Sequence, residues 1–81
     1  MRKYILKNEL KNGAYYKGIC RNASVARWNA ETGKFVHHRA KFGHTFLEEI
    51  CHPEDDMKYD VFYPEREMHI DEVENPIEFR E

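Results

Sequence analysis

Apolar and polar residues alternate over several short stretches of this chain, which is the period of β-strands rather than of helices. The alternation is clearest over residues 24–29 and 34–42, on either side of a turn sequence at residues 30–33. Gly33 can adopt the left-handed conformation that a type I turn followed by a bulge requires. The pattern therefore predicts an antiparallel hairpin in this part of the chain.

The register of this hairpin follows from its turn. If Ala30 pairs with Lys34, Trp28 lies opposite Val36 and both side chains point to the core. The predicted core face then holds Ala26, Trp28, Val36, Ala40 and Phe42. The opposite face collects Arg27, His37, Arg39 and Lys41, so the register also predicts a basic surface.

Further strands are predicted towards both ends. Residues 4–10 and 14–21 are joined around Asn12-Gly13, which is a strong hairpin signal. Near the C-terminus, the scattered apolar residues of the acidic tail predict a short terminal strand near Met68–Ile70.

A second hairpin is predicted between residues 45–51 and 57–63, around a turn rich in Pro and Asp. Pro64 is expected to end the second of these strands, because proline cannot donate to a sheet ladder. The apolar residues within 45–51 also fit one or two turns of helix. No capping pattern supports a helix there, so strand is favoured.

These elements predict an all-β fold with room for one short helical turn. The expected architecture is a small antiparallel meander of about five to six strands. Such a sheet forms a partly open SH3-like barrel or a curled sheet. The chain of 81 residues is expected to hold one small β domain over residues 1–65, followed by an acidic C-terminal extension over residues 66–81 that is partly ordered or packed on the domain. Fraying is expected beyond Asn75-Pro76.

Charge is divided along the chain, although the net charge is only −2. Residues 1–44 hold ten Lys/Arg against two acids, which gives +8, and residues 45–81 hold three against thirteen, which gives −10. This asymmetry draws attention to anionic partners. Since nucleic-acid binders are usually basic overall, the sequence permits nucleic acid as a partner but does not favour it.

The expected compartment is the cytoplasm, without a membrane partner. The basic start of the chain lacks an apolar run long enough for a signal peptide or a membrane span. The two cysteines, Cys20 and Cys51, are too few for a disulfide scaffold, so we expect reduced thiols.

Two candidate surfaces emerge from the residue types. Cationic side chains on the predicted strands form a candidate site for phosphate or carboxylate groups. Its members are Lys17, Arg21, Arg27, His37, Arg39 and Lys41. Aromatic residues exceed what a core of this size can bury, and exposed aromatic clusters mark protein interfaces. The candidate protein-interaction residues are Tyr15, Tyr16, Tyr59, Phe62 and Tyr63.

Metal and catalytic signals are weak. The adjacent ligand pairs His37-His38 and Cys51-His52 point to opposite faces of a strand, which does not suit a shared metal. A composite site that combines His44 with Cys51 or His52 is not favoured. The acids of residues 54–56 with Asp60 fit a solvated turn better than a cation site. No serine, cysteine or glycine-loop motif supports catalysis, so no cofactor, metal or enzymatic activity is expected.

The sequence therefore predicts a non-catalytic interaction or adaptor module with an unknown protein partner. Unclosed sheet edges further predict a homodimer. The alternative function is an anion or nucleic-acid binder in which the acidic tail competes for the basic strand face. A small metal- or thiol-dependent enzyme is the least favoured alternative.

Overall fold

A single antiparallel sheet of five strands forms the body of the protein. The computed structural model describes residues 4–21, 23–55 and 61–74. The strands are β1 (Tyr15–Ile19), β2 (Val25–Asn29), β3 (Lys34–Lys41), β4 (His44–Ile50) and β5 (Tyr63–Glu67). Two 3-10 helices, Lys7–Glu9 and Ile70–Glu72, are the only helical segments among the described residues. The predicted all-β antiparallel class is confirmed, with the sheet in its open form.

The strand order is β4-β3-β2-β1-β5, so the last strand lies beside the first rather than beside β4. The predicted strand at residues 45–51 is confirmed as β4, but its predicted antiparallel hairpin with residues 57–63 is wrong. Cys51 and Val61 instead form an isolated parallel bridge. Residues 56–60 lie outside the described residues. Pro64 does not end a strand but lies inside β5, where an edge position tolerates its missing N–H.

The predictions for the two ends need correction. Residues 4–10 contain no strand, because Lys7–Glu9 form a 3-10 helix. The terminal strand lies upstream of the predicted Met68–Ile70, and Ile70 opens the second 3-10 helix. Met68 still donates its N–H to the carbonyl of Tyr15 at 2.7 Å. Met68 and Val73 pack against Tyr15 and Val36, so the start of the acidic extension lies against the sheet.

The hairpin of β2 and β3 forms as predicted, but its register is shifted by one residue. Asn29 pairs with Lys34, and Trp28 pairs with Phe35 rather than with Val36. In the turn, Ala30 donates its N–H to Oδ1 of Asn12 at 3.0 Å, and the Asn29 side chain accepts the N–H of Glu31 at 3.0 Å. Ala30 therefore lies in a longer loop that contains an Asx-type turn, outside the ladder. Gly33 is left-handed, with φ of 70°, as predicted.

The core lies on one face of the sheet and is mostly aromatic. Its buried members are Tyr16, Ala26, Trp28, Phe35, Ile50 and Phe62. The one-residue shift places Phe35 in this core and moves Val36 to the small cluster on the opposite face, with Tyr15. A one-residue slip exchanges the two faces of a strand, so Val36 is buried as predicted but not on the Trp28 face, and the predicted core positions of Ala40 and Phe42 are wrong.

A buried histidine fastens the N-terminal segment to this core. His52 donates from Nε2 to the carbonyl of Ile5 at 2.8 Å, and its Nδ1 accepts the N–H of Glu54 at 3.1 Å. Its ring stacks on Phe35, with centroids 6.2 Å apart. Lys7 adds an ion pair to Asp55 at 2.7 Å. His52 therefore has a structural role in which both ring nitrogens are occupied.

Candidate functional site

The shifted register divides the predicted basic face. Arg27 pairs with Val36, so it shares a face with even-numbered β3 residues rather than with His37, Arg39 and Lys41. The predicted continuous cationic strip across β2 and β3 therefore does not form.

Half of the predicted cationic residues serve internal contacts: Arg27, His37 and Arg39. Arg27 donates from Nε to the carbonyl of Gly13 at 2.9 Å, and its guanidinium lies 5.7 Å from the centre of the Tyr15 ring. Arg39 donates from one nitrogen to both carboxylate oxygens of Glu48, at 3.1 and 2.9 Å. Lys41 and Arg21 are exposed. An arrangement of this kind stabilises the strands more than it offers free positive charge.

Buried His37 completes a small polar network across β3 and β4. Its Nε2 lies 3.4 Å from an oxygen of Glu48, and its Nδ1 lies 3.1 Å from the carbonyl oxygen of His38. Burial, the largest single effect, raises the pKa of Glu48. The hydrogen bonds of Arg39 and His37 together outweigh it and hold that pKa below its ordinary value. The carboxylate thus remains charged and links the two strands.

A groove lies where β3 separates from β2. Ladder pairing between these strands stops at Arg27 and Val36, and a half-open space of about 570 Å³ begins beyond that point. The Lys17 side chain lines it, and its ammonium makes no hydrogen bond or ion pair within the described part of the chain. The groove is lined by Tyr15, Lys17, Ala23, Ser24, Val25, His37, His38, Arg66, Met68, Glu72, Val73 and Glu74.

The charges around this groove are of both signs. Arg66 donates to Glu72 at 2.8 and 3.3 Å, and this pair lowers the pKa of Glu72 to about 2. Glu74 also lines the groove and adds a further negative charge. Such a lining suits an amphipathic ligand, but it does not concentrate positive potential as an anion site does.

The predicted aromatic surface is mostly interior. Tyr15, Tyr16 and Phe62 are buried, so solvent-side partners do not reach them. Tyr63 is exposed and packs edge-on against Tyr4, with ring centroids 5.8 Å apart. Tyr59 lies outside the described residues. The exposed apolar residues cluster elsewhere.

The most unusual residue is Phe42, at the turn between β3 and β4. It has a φ of 54° and is followed by Gly43 with a φ of 78°. Two left-handed residues in a two-residue loop define a type I′ turn, in which the first position favours Asn, Asp or Gly. A bulky residue with positive φ is an outlier. The Phe42 side chain is nonetheless 88% exposed, so no packing compensates for this conformation.

The outer part of the β3–β4 hairpin carries further exposed apolar side chains. We define the outer hairpin as residues 37–48, which pair only within the hairpin because the β2 ladder ends at Val36. Phe46 and Leu47 are 42% and 47% exposed, on opposite faces of β4. Sequence reasoning placed Phe42 in the core. The missed signal was Gly43, which fits the second position of a two-residue hairpin turn.

The described ranges contain neither a cluster of metal-ligating side chains nor a disulfide. No group of three or more His, Cys, Asp or Glu side chains there could hold a metal ion. Cys20 and Cys51 are both free thiols, and buried Cys51 accepts from the Lys34 ammonium at 3.6 Å. No helix of the described residues has the length and apolar character needed to cross a membrane.

Comparison of the chain with protein-family models, with curated proteins and with solved structures finds no match.

Proposed function

We propose that this chain is a non-catalytic protein-interaction module that binds its partner through the outer hairpin. The observation that carries the proposal is Phe42, a large apolar side chain held in the left-handed region and almost fully exposed. Residues held in strained backbone conformations cluster at functional sites. Burial of an exposed phenylalanine against another protein removes a large apolar surface from water, and aromatic residues are enriched in such interfaces.

Phe46 and Leu47 add exposed apolar side chains along β4, one on each face of the strand. Several exposed apolar residues on one short element mark a contact element more strongly than isolated ones do. The ion pair of Arg39 with Glu48 holds the two strands in place, so the surface is ordered before a partner arrives. Preorganisation of this kind lowers the entropic cost of association.

The anion-binding alternative receives less support. Arg27 and Arg39 make internal contacts, His37 is buried, and the groove beside Lys17 also contains acids. Enzymatic function receives less support as well, because His52 is satisfied on both ring nitrogens within the fold.

The test is a pull-down in which the wild type and its variants are immobilised and exposed to an extract of the cells that express this protein. The proteins that each form retains are then compared, and further copies of this chain are counted among them. Phe42→Asn and Leu47→Thr should lose the proteins that the wild type retains. Ile70→Thr is the matched control, because Ile70 is exposed but lies in the second 3-10 helix. Retention of the same proteins by all four forms, measured by quantitative mass spectrometry, would remove the outer hairpin as the contact surface.

A further inference from the structure

The two edges of the sheet differ in how they are protected. At β5, Pro64 lies within the strand, a bulge interrupts the pairing at Lys17/Gly18, and the N–H of Ile5 covers the Pro64 carbonyl at 2.8 Å. These are common devices against edge-to-edge pairing. β4 has none of them: its seven residues contain no Pro, Lys or Arg, and their pairing with β3 is unbroken. Among the described residues, the β4 edge is thus open to another strand over His44–Ile50, and Val61 and Phe62 cover only the next residue, Cys51.

We propose that a second copy of this chain occupies the β4 edge, as an antiparallel β4–β4 pair about a two-fold axis at Phe46. This inference deepens the proposed function and rests on it, since it names the partner of the outer hairpin. A two-fold axis places the same strand on both sides, so β4 must be complementary to itself. Main-chain hydrogen bonds then provide affinity, and the facing side chains determine the register.

Hairpin geometry restricts the register. The residues that flank a two-residue turn, Lys41 and His44, form a hydrogen-bonded pair, and such pairs alternate along an antiparallel ladder. The backbone groups of Thr45, Leu47 and Glu49 therefore point away from β3. Only registers that place these residues opposite one another can exchange hydrogen bonds between the two copies.

Side chains select among these registers. An axis at Glu48 places two carboxylates directly opposite, and an axis at Leu47 places Phe46 opposite a charged Glu48. An axis at Phe46 places the Phe46 rings opposite each other in a non-hydrogen-bonded pair, where side chains approach most closely. His44 then faces Glu48 of the second copy, and Thr45 exchanges backbone hydrogen bonds with Leu47. This register pairs apolar with apolar and avoids like charges.

The same register bears on the exposure of Phe42. Continuing the antiparallel pairing brings the turn residue Phe42 opposite Ile50, at the end of β4 in the second copy. The Ile50 side chain is buried in its own core, so the Phe42 ring gains the backbone at the end of that strand rather than an apolar side chain. Phe46 and Leu47 gain contacts on opposite faces of the same strand pair.

The first experiment is sedimentation equilibrium of the full chain at about 5–500 µM, a range that brackets micromolar dissociation constants. The wild type should form a reversible dimer of twice 9.8 kDa. Phe46→Lys opposes two ammonium groups on the axis and should weaken dimerisation at least about 100-fold, as close like charges do. The control Ile70→Lys should leave it unchanged. A wild type that stays monomeric, or a dimer indifferent to Phe46→Lys, overturns the inference.

Cysteine cross-linking tests the register. Under mild oxidation, Phe46→Cys should give a disulfide-linked dimer, because residues opposite each other in a non-hydrogen-bonded pair have the Cβ separation that a disulfide needs. Leu47→Cys should cross-link less, and the wild type reports the contribution of Cys20 and Cys51. Faster cross-linking at position 47 overturns the register. A monomeric wild type refutes only the second copy as partner, whereas the proposed function fails when hairpin variants retain all their bound proteins.

Discussion

Replacing Phe42 by Asn should make the protein more stable although it removes a large apolar side chain. A left-handed conformation costs a bulky L-residue about 1–2 kcal/mol, and Asn tolerates it far better in a type I′ turn. Phe42 is 88% exposed, so at about 1.5–3 kcal/mol for full burial its covered remainder contributes only about 0.2–0.4 kcal/mol.

The free energy of one further contact of the Phe42 ring must be subtracted from the stability that Phe42→Asn gains. The Lys41 ammonium lies 5.4 Å from its centre, and an exposed cation–π contact contributes up to about 0.5–1 kcal/mol. The net gain of Phe42→Asn is therefore about 0.5 kcal/mol, and about 1 kcal/mol where the cation–π contact is weak. For a domain of this size that raises the thermal midpoint by about 2–8 °C.

The assay is thermal unfolding followed by circular dichroism at a concentration where each variant is monomeric. Phe42→Ala is the matched control, because it removes the ring but keeps a residue that is strained at positive φ. Its midpoint should equal or fall slightly below that of the wild type. A Phe42→Asn midpoint several degrees below the wild type would refute the reasoning, since it would show that the ring packs within the monomer.

The remaining predictions concern the fold. Gly18→Ala should cost about 3 kcal/mol in urea unfolding, because the added Cβ would clash with the backbone carbonyl oxygen of Tyr63. Gly43→Ala meets no described atom within 4 Å and should cost only about 1 kcal/mol for its positive φ. Trp28→Ala should leave the chain largely unfolded by circular dichroism, since about 3–5 kcal/mol is most of the stability of so small a domain. The Lys7 hydrogen bond lowers the pKa of Asp55, so its stabilising effect is complete above the unfolded pKa of about 3.9 and is lost as pH falls through the lower folded value. The urea midpoint should therefore decline less on acidification in Lys7→Met than in the wild type.

Sequence reasoning predicted the fold class and the strands of the β2–β3 hairpin because these depend on alternation and on Gly33. It placed Trp28 in the core correctly. The register was missed because Ala30 donates its N–H to the side chain of Asn12 instead of joining the ladder, a long-range contact that alternation alone does not reveal. Since one residue of slip exchanges the faces of a strand, the observed register places Phe35 rather than Val36 on the Trp28 face.

The same slip explains why the candidate site moved. The basic face depended on Arg27 sharing a face with Arg39, and the observed pairing separates them. The position of β5 beside β1 could not be predicted from the alternation of apolar and polar residues either. Alternation identifies a strand but does not show which strand pairs with it. Pro64 at an exposed edge is compatible with β5 beside β1, but equally with the end of a strand. The packing of the chain, and not the alternation of its residues, therefore determines which strands are neighbours.

The outer hairpin combines weak anchoring with local order, and this combination is what an interaction element needs. Beyond Val36 no third strand from the described ranges joins it, so its stability there depends on its own ladder and on the network of His37, Arg39 and Glu48. A two-stranded hairpin alone is marginal in water. The partly buried ion pair offsets this weakness, because its hydrogen bonds are charge-assisted and span both strands. The hairpin can therefore present the strained ring of Phe42 to a partner without first paying the full entropy of ordering.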